Sequence, residues 1–249
     1  MIRLLVLFLL LAAPVKAEEI VLGLSRDQVS ITATFEGSEI LIFGAIKRDA
    51  PTRTDSDLGV IVTVAGPDMR VTVRKKVRRL GIWVNTESVD VDVAPTFYAV
   101  ATNRPLTEIL TFTEDLNTRI STQRAIRSVG ATVDSAETFT EALIRIRANQ
   151  GLYQTLPTGV LVQEESLFRT LIPLPANLTE GDYKAEIYLT RGGEIVDLYT
   201  TTIPVKKVGL ERWLYNLAHE NVFLYGLMSL SIAIAAGWGA SAIFTMLRR

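Results

Sequence analysis

From residue 20 to residue 93, apolar and polar positions alternate with a period of two, interrupted at short intervals by turn-forming residues. Val29, Ile31, Ala33 and Phe35 alternate with Ser30, Thr32 and Thr34, and Glu36-Gly37-Ser38 turns the chain into an apolar run from Ile40 to Ile46. Successive side chains of an extended strand point to opposite faces, so this alternation predicts strands with one face buried. Val60 to Val64, Met69 to Val73, Gly81 to Val84 and Val89 to Val93 are further candidates, separated by Gly66-Pro67-Asp68 and by Asn85-Thr86-Glu87. About seven short strands at this spacing predict a β-sandwich.

The period lengthens after Pro105. Leu106, Ile109, Leu110, Leu116 and Ile120 are spaced as on one helical face. A second stripe follows in Phe139, Ala142, Leu143 and Ile146, with Thr138 and Glu141 placed as a capping box and Gly151 just past the end. Strands return at Val160 to Gln163 and Phe168 to Ile172. Tyr183, Ala185, Ile187 and Leu189 then alternate with Lys184, Glu186, Tyr188 and Thr190, and Gly192-Gly193 suits a hairpin turn into Glu194 to Val205. The phrase from Pro175 to Tyr183 is similar to the late strands of an immunoglobulin-like module. The expected fold is mainly β, with immunoglobulin-like β-sandwich region or regions over residues 18–102 and 156–207 and a two-helix insertion over 103–155. The second β region is either a small domain of its own or part of one sandwich that the helices interrupt.

The ends break both periods. No charged residue occurs from Val222 to Leu247. At about 1.5 Å per residue such a helix exceeds a hydrocarbon core of about 30 Å, so 222–247 is expected to span a membrane. At the other end, Arg3, the apolar run Leu4 to Ala13 and the small residues of Val15-Lys16-Ala17 have the layout of a signal peptide, with cleavage expected after residue 17. Arg248 and Arg249 close the chain. Cationic residues collect on the cytoplasmic side of a span, so the C-terminus is expected inside and the bulk of the chain in the periplasm or otherwise outside the cytoplasmic membrane. Residues 208–221 form an amphipathic juxtamembrane segment, with Leu210, Trp213, Leu214 and Leu217 on one face and Trp213 and Tyr215 suited to the interface.

Charge and cysteine content narrow the chemistry. There is no cysteine, so packing without disulfides must hold the exported part together. The 26 basic residues face 27 acidic ones, and four of the basic ones, Arg3, Lys16, Arg248 and Arg249, lie at the two ends. The stretch between is acidic, which disfavours a nucleic-acid partner. His219, the one histidine, precedes the membrane segment beside Glu220, and reads as an interfacial polar residue rather than part of a triad. Asp90 and Asp92 share a strand face at a spacing open to a hard cation or an acid/base pair, but also ordinary for a solvated strand. No phosphate loop or dinucleotide fingerprint follows any strand. Neither a catalytic residue, a metal site nor a cofactor is expected.

Two features stand out as possible contact sites. Arg74, Lys75, Lys76, Arg78 and Arg79 form the densest charge run, between two candidate strands and ahead of Leu80-Gly81-Ile82-Trp83. It could hold an oxyanion, lipid headgroups or an acidic partner, or could protect a sheet edge. In the terminal helix, Ser229, Ala233, Gly237 and Ser241 recur at every fourth position, so a second helix could pack closely there, from an integral-membrane partner or another copy.

With this organisation in view, the chain resembles a family of alphaproteobacterial membrane proteins of unknown function that share a signal peptide, a β-rich exported region and one C-terminal helix. The resemblance rests on Phe35-Glu36-Gly37 leading into Leu41 to Ile46, on Phe97-Tyr98-Ala99-Val100 ahead of Arg104-Pro105, and on the terminal helix. It implies no catalytic residue, and members can lie beside sulfite-exporter-type permeases. The expected role is a non-enzymatic accessory or scaffold subunit of a membrane complex. An extracytoplasmic anion- or polymer-binding module using the basic cluster is the alternative, and a hydrolase the third reading.

Overall fold

Ser38-Glu-Ile-Leu-Ile-Phe-Gly-Ala-Ile and Leu167-Phe-Arg-Thr-Leu-Ile-Pro-Leu pair antiparallel, Leu41 opposite Leu171, although they come from the two β regions that flank the helical insertion. The computed structural model that shows this describes residues 18–25, 28–32, 35–48, 58–127, 133–164, 166–208 and 210–247. The expected signal peptide over 1–17, Ala33 and Thr34 of the second strand, and Arg248 and Arg249 lie outside them. The chain divides into two compact units: residues up to Val29 with Glu36–Val205, and Ser30–Phe35 with Lys206–Arg249.

The first unit holds two stacked sheets. Strands β1 (Glu18–Leu24), β3 (Ser38–Arg48), β10 (Leu167–Leu174) and β9 (Val160–Gln163) form a four-stranded antiparallel sheet in the order β1-β3-β10-β9. A six-stranded sheet runs β2 (Val29–Ile31), β12 (Glu194–Lys207), β11 (Gly181–Arg191), β4 (Leu58–Ala65), β7 (Tyr98–Thr102) and β8 (Tyr153–Leu156), with Ser30 and Ile31 of β2 and Lys206 and Lys207 of β12 belonging to the second unit. Burial alternates strictly along β10, where Phe168, Thr170, Ile172 and Leu174 point inward, and Ile40, Ile42 and Ile46 of β3 join them. Gln154 of β8 registers with Ala99, which pairs with Val64, and its amide donates to the Pro173 carbonyl of β10 at 2.9 Å. Val60, Val62 and Val64 therefore face the four-stranded sheet, and aligned inner faces of this kind make a sandwich core.

β4 is buried on both faces because helices cover its other side. A Cβ on Gly59 would come within 2.7 Å of Ile109 Cβ, so glycine lets the first helix lie directly on the strand. In place of one helix after Pro105 there are three short ones: α1 (Leu106–Ile109), α2 (Phe112–Thr118) and α3 (Thr122–Ala125). Local chemistry divides them. Leu110 is extended, Thr111 caps α2 by accepting from Glu114 N at 3.3 Å, and Arg119 turns left-handed at φ 58°. Asp115 then accepts from Ser121 N at 2.8 Å and from Arg124 Nε at 2.7 Å, fixing the start of α3.

The expected second helix is present as α4 (Val133–Asn149), but it starts earlier than expected. Thr138 and Glu141 therefore lie inside it and form no capping box. Its end agrees with the glycine signal: Gly151 sits at φ 71°, Leu152 N donates to Arg147 O and Gly151 N to Ala148 O, both at 2.9 Å, a Schellman closure. This helical excursion also explains why β7 and β8 pair in parallel, since parallel neighbours need a long crossover.

Buried tyrosines tie the layers together. Tyr98 Oη donates to Ile120 O at 2.7 Å and Tyr153 Oη to Pro95 O at 2.8 Å. Tyr183 Oη donates to Thr179 O, four residues upstream, at 2.8 Å, the tie known as a tyrosine corner. Burial pushes the Tyr153 phenol up to about 12 against an opposing pull from Arg147, and it raises those of Tyr98 and Tyr188 too.

The region from 68 to 95 departs from expectation. Candidate strands 69–73, 81–84 and 89–93 are two long strands, β5 (Asp68–Arg79) and β6 (Ile82–Pro95), paired as a separate hairpin. Asn85-Thr86-Glu87 is not a turn. Lys75 opposes Glu87 and Lys76 opposes Asn85, so Thr86 is an extra residue absorbed as a bulge. The reversal falls at Leu80-Gly81, and the basic run lies inside β5 instead of between strands.

The second unit carries α5 (Leu210–Glu220) and α6 (Val222–Leu247), the latter long and apolar enough over Val222–Thr245 to cross a bilayer.

Candidate functional site

The hairpin is anchored at its base and free beyond it. Val73 and Val91 are buried, and Arg147 of α4 reaches the Thr96 carbonyl at 3.4 Å. Every residue from Arg74 to Ser88 is exposed. Six strand residues of about 3.3 Å each carry the tip about 20 Å past Val73. Cross-strand register places Val71, Val73, Val77, Val84 and Val89 on one face and Arg74, Lys76, Arg78 and Trp83 on the other. Lys75 pairs with Glu87 at 3.4 Å. Among the described residues, no carboxylate lies within ion-pair reach of Arg74, Lys76, Arg78 or Arg79. At the tip Leu80 is 106% exposed, Ile82 65% and Trp83 67%.

The second surface was not anticipated. The outer face of the four-stranded sheet exposes Val21, Phe43, Leu161, Leu167 and Leu171, each between 44% and 55%. Pairing makes them neighbours: Leu171 lies across from Leu41, Arg169 from both Phe43 and Leu161, and Leu167 from Ala45, which also opposes Val21. A Cβ on Gly23 would fall 2.6 Å from the Phe43 ring, so the glycine lets that ring lie over the strand beside it. One cation, Arg169, sits among these apolar side chains.

A cleft of about 740 Å³ opens among the helices, lined by Leu110, Phe112, Asp115, Arg124, Glu137 and Glu141. Its cation is already engaged: Arg124 pairs with Asp115 at 2.7 Å and lies 4.4 Å from the Phe112 ring centre. Short polar helices hid this cleft from the apolar pattern.

The remaining sequence candidates do not converge. Asp90 accepts from the Thr72 hydroxyl at 2.6 Å, and Asp92 pairs with Arg70 at 3.2 Å. Among the described residues, no three of His, Cys, Asp or Glu come together in a cation-binding geometry. His219 is exposed on α5, stacked on Tyr215 at 4.0 Å, with Nδ1 2.9 Å from the Tyr215 carbonyl. Ser229, Ala233, Gly237 and Ser241 are all exposed along α6, and the Ser229 hydroxyl donates to Gly226 O at 3.0 Å within the helix.

Among the described residues, a β body carries a hairpin that leaves it, and one terminal helix is long and apolar enough to cross a membrane. The chain belongs to the family Putative transmembrane protein (Alph_Pro_TM). The match covers residues 19–246, so it takes in both sheets, the hairpin, the helical layer and α6. No curated protein matches the chain. Family and helix agree on a membrane-anchored protein.

Proposed function

We propose that this chain is an exported, non-enzymatic accessory or scaffold subunit that docks its β body on a larger membrane protein, of transporter type. In this reading residues 1–17 direct export, the body lies in the periplasm and the end of α6 faces the cytoplasm. The uncovered face of the four-stranded sheet carries the reading, because contiguous exposed apolar surface on a soluble body marks a protein-interaction site. Arg169 at its centre suits the arginine-rich character of interface cores. The small-residue side of α6 adds a second contact within the bilayer.

Replacing Leu161 and Leu171 with glutamate tests this, since both side chains are half exposed and the change leaves the inner face of the sheet intact. Crosslinking in native membranes, followed by purification and mass spectrometry, should recover an integral-membrane protein with the unaltered chain and lose it with the variant. Equal recovery by a folded variant removes the sheet face from the proposal. A second reading, an extracytoplasmic anion- or polymer-binding module, draws support from the four hairpin cations that lack a carboxylate partner among the described residues.

A further inference from the structure

The turn of the β5–β6 hairpin is built against backbone preference. Arg79 opposes Ile82, so the loop has two residues, Leu80 at φ 49° and Gly81 at φ 87°. Two-residue loops with positive φ at both positions favour Asn-Gly, because asparagine tolerates the left-handed region and leucine does not. Leucine here also gains nothing from packing, being 106% exposed, and a Cβ on Gly81 would meet nothing within 4 Å. The fold alone would favour asparagine, so an exposed leucine in a strained position points to an external contact.

The surroundings of Leu80 identify that contact by its chemistry. Ile82 and Trp83 extend the apolar tip, and tryptophan favours the headgroup layer of a bilayer. From residue 74 to residue 87 there are five cations and one carboxylate, Glu87, on a chain that is acidic between its ends. An apolar tip followed directly by cations is the layered order of a bilayer surface, with apolar groups deep and phosphates outside them. Each basic residue near an anionic surface contributes about a fivefold gain in binding. The chain also carries its own spanning segment, which keeps a bilayer at high effective concentration.

We infer that the β5–β6 hairpin is a lipid-contact arm: Leu80, Ile82 and Trp83 enter the interfacial layer of an anionic bilayer, and Arg74, Lys76, Arg78 and Arg79 bind its headgroup phosphates. This does not rest on the accessory-subunit reading, which uses the face of the other sheet.

Trp83 is the probe. The chain has three tryptophans, so Trp213→Phe with Trp238→Phe leaves Trp83 alone in the full-length protein. This protein is reconstituted into vesicles of phosphatidylcholine, with or without phosphatidylglycerol, carrying bromine on the acyl chains. With phosphatidylglycerol present, Trp83 emission should shift to the blue and be quenched. Changing Arg74, Lys76, Arg78 and Arg79 together to glutamine should abolish both effects. Leu80→Asn should also lose the quenching while the melting temperature stays the same or rises, an outcome that a purely structural role for Leu80 cannot give. The inference is overturned if Trp83 stays water-exposed in both vesicles. Equal quenching with and without phosphatidylglycerol overturns it too, as does shielding of Trp83 only when a co-purified membrane protein is present. The sheet-face variant leaves the arm intact, so either proposal can fail without the other.

Discussion

Two hairpins of nearly equal length are built for opposite purposes. In β11–β12 both positive-φ positions are glycines, Gly192 at 58° and Gly193 at 84°, and the turn faces the body. Thr111 N donates to Gly193 O at 2.9 Å, and a Cβ on Gly193 would meet the Thr111 methyl at 2.8 Å. In β5–β6 the same backbone carries Leu80 and Gly81, and among the described residues a Cβ on Gly81 would meet nothing within 4 Å. The first turn has residues chosen for the backbone and for packing against the cap of α2. The second has a residue that the backbone disfavours, displayed at the end of a free arm.

The comparison breaks most sharply at Gly193. A leucine there combines a left-handed backbone with a clash on Thr111, and should destabilise the body by roughly 3–4 kcal/mol, measured by denaturant unfolding in mild detergent. The free tip has no such constraint, so Leu80→Asn should stabilise the chain, by about 1 kcal/mol in the same assay. If asparagine destabilises, the strained turn is not what separates the two hairpins.

Alkaline pH should separate body from arm with an effect between these. The Tyr153 phenol ionises near 10 when unfolded but only at about 12 in the fold. The unfolded chain therefore loses its proton first. Stability is full below pH 10 and falls as pH rises from 10 to 12, by about 1.4 kcal/mol per unit for this one group. Tyr98 and Tyr188 act in the same direction. Tyr153→Phe should flatten the slope of melting temperature against pH above 10, and an unchanged slope would mean other groups govern alkaline unfolding. The arm has no tyrosine, so this phenol linkage belongs to the body.

The smallest expected effect is at Lys75, whose ion pair with Glu87 is exposed on both sides. Lys75→Gln should change stability by less than about 1 kcal/mol, within the range of exposed pairs. A larger loss in thermal unfolding would show that the arm is held by charge rather than by its valine pairs.

Sequence periodicity revealed the body better than it revealed the surfaces. The alternation in β10 and β11 was legible because each strand has contrasting faces. Along β3, Ile40-Leu-Ile-Phe-Gly-Ala-Ile is apolar at every position, as in a strand buried on both sides, yet Phe43 is 44% exposed. A pattern of residue types cannot distinguish a covered apolar face from one that awaits a partner. The arm was visible as charge but not as shape. Its bulge at Thr86 contains turn-forming residues, and these divided one long strand into two short candidates. The three short helices and their cleft depended on hydrogen bonds to two single side chains, Thr111 and Asp115, which no stripe of apolar residues announces.

The pairing of β3 with β10 has a consequence for how this body comes into being. β3 forms early in the chain, but the strand that completes its sheet lies beyond the hairpin and the whole helical insertion. Such distant closure is slow, because the loop entropy must be overcome before the contact returns anything. Until β10 arrives, Leu41 and Phe43 belong to a strand with an unpaired edge and no inner layer, a species prone to aggregate. The N-terminal half should therefore be unable to reach its native sheet alone, and the chain's most aggregation-prone moment falls between the emergence of β3 and that of β10.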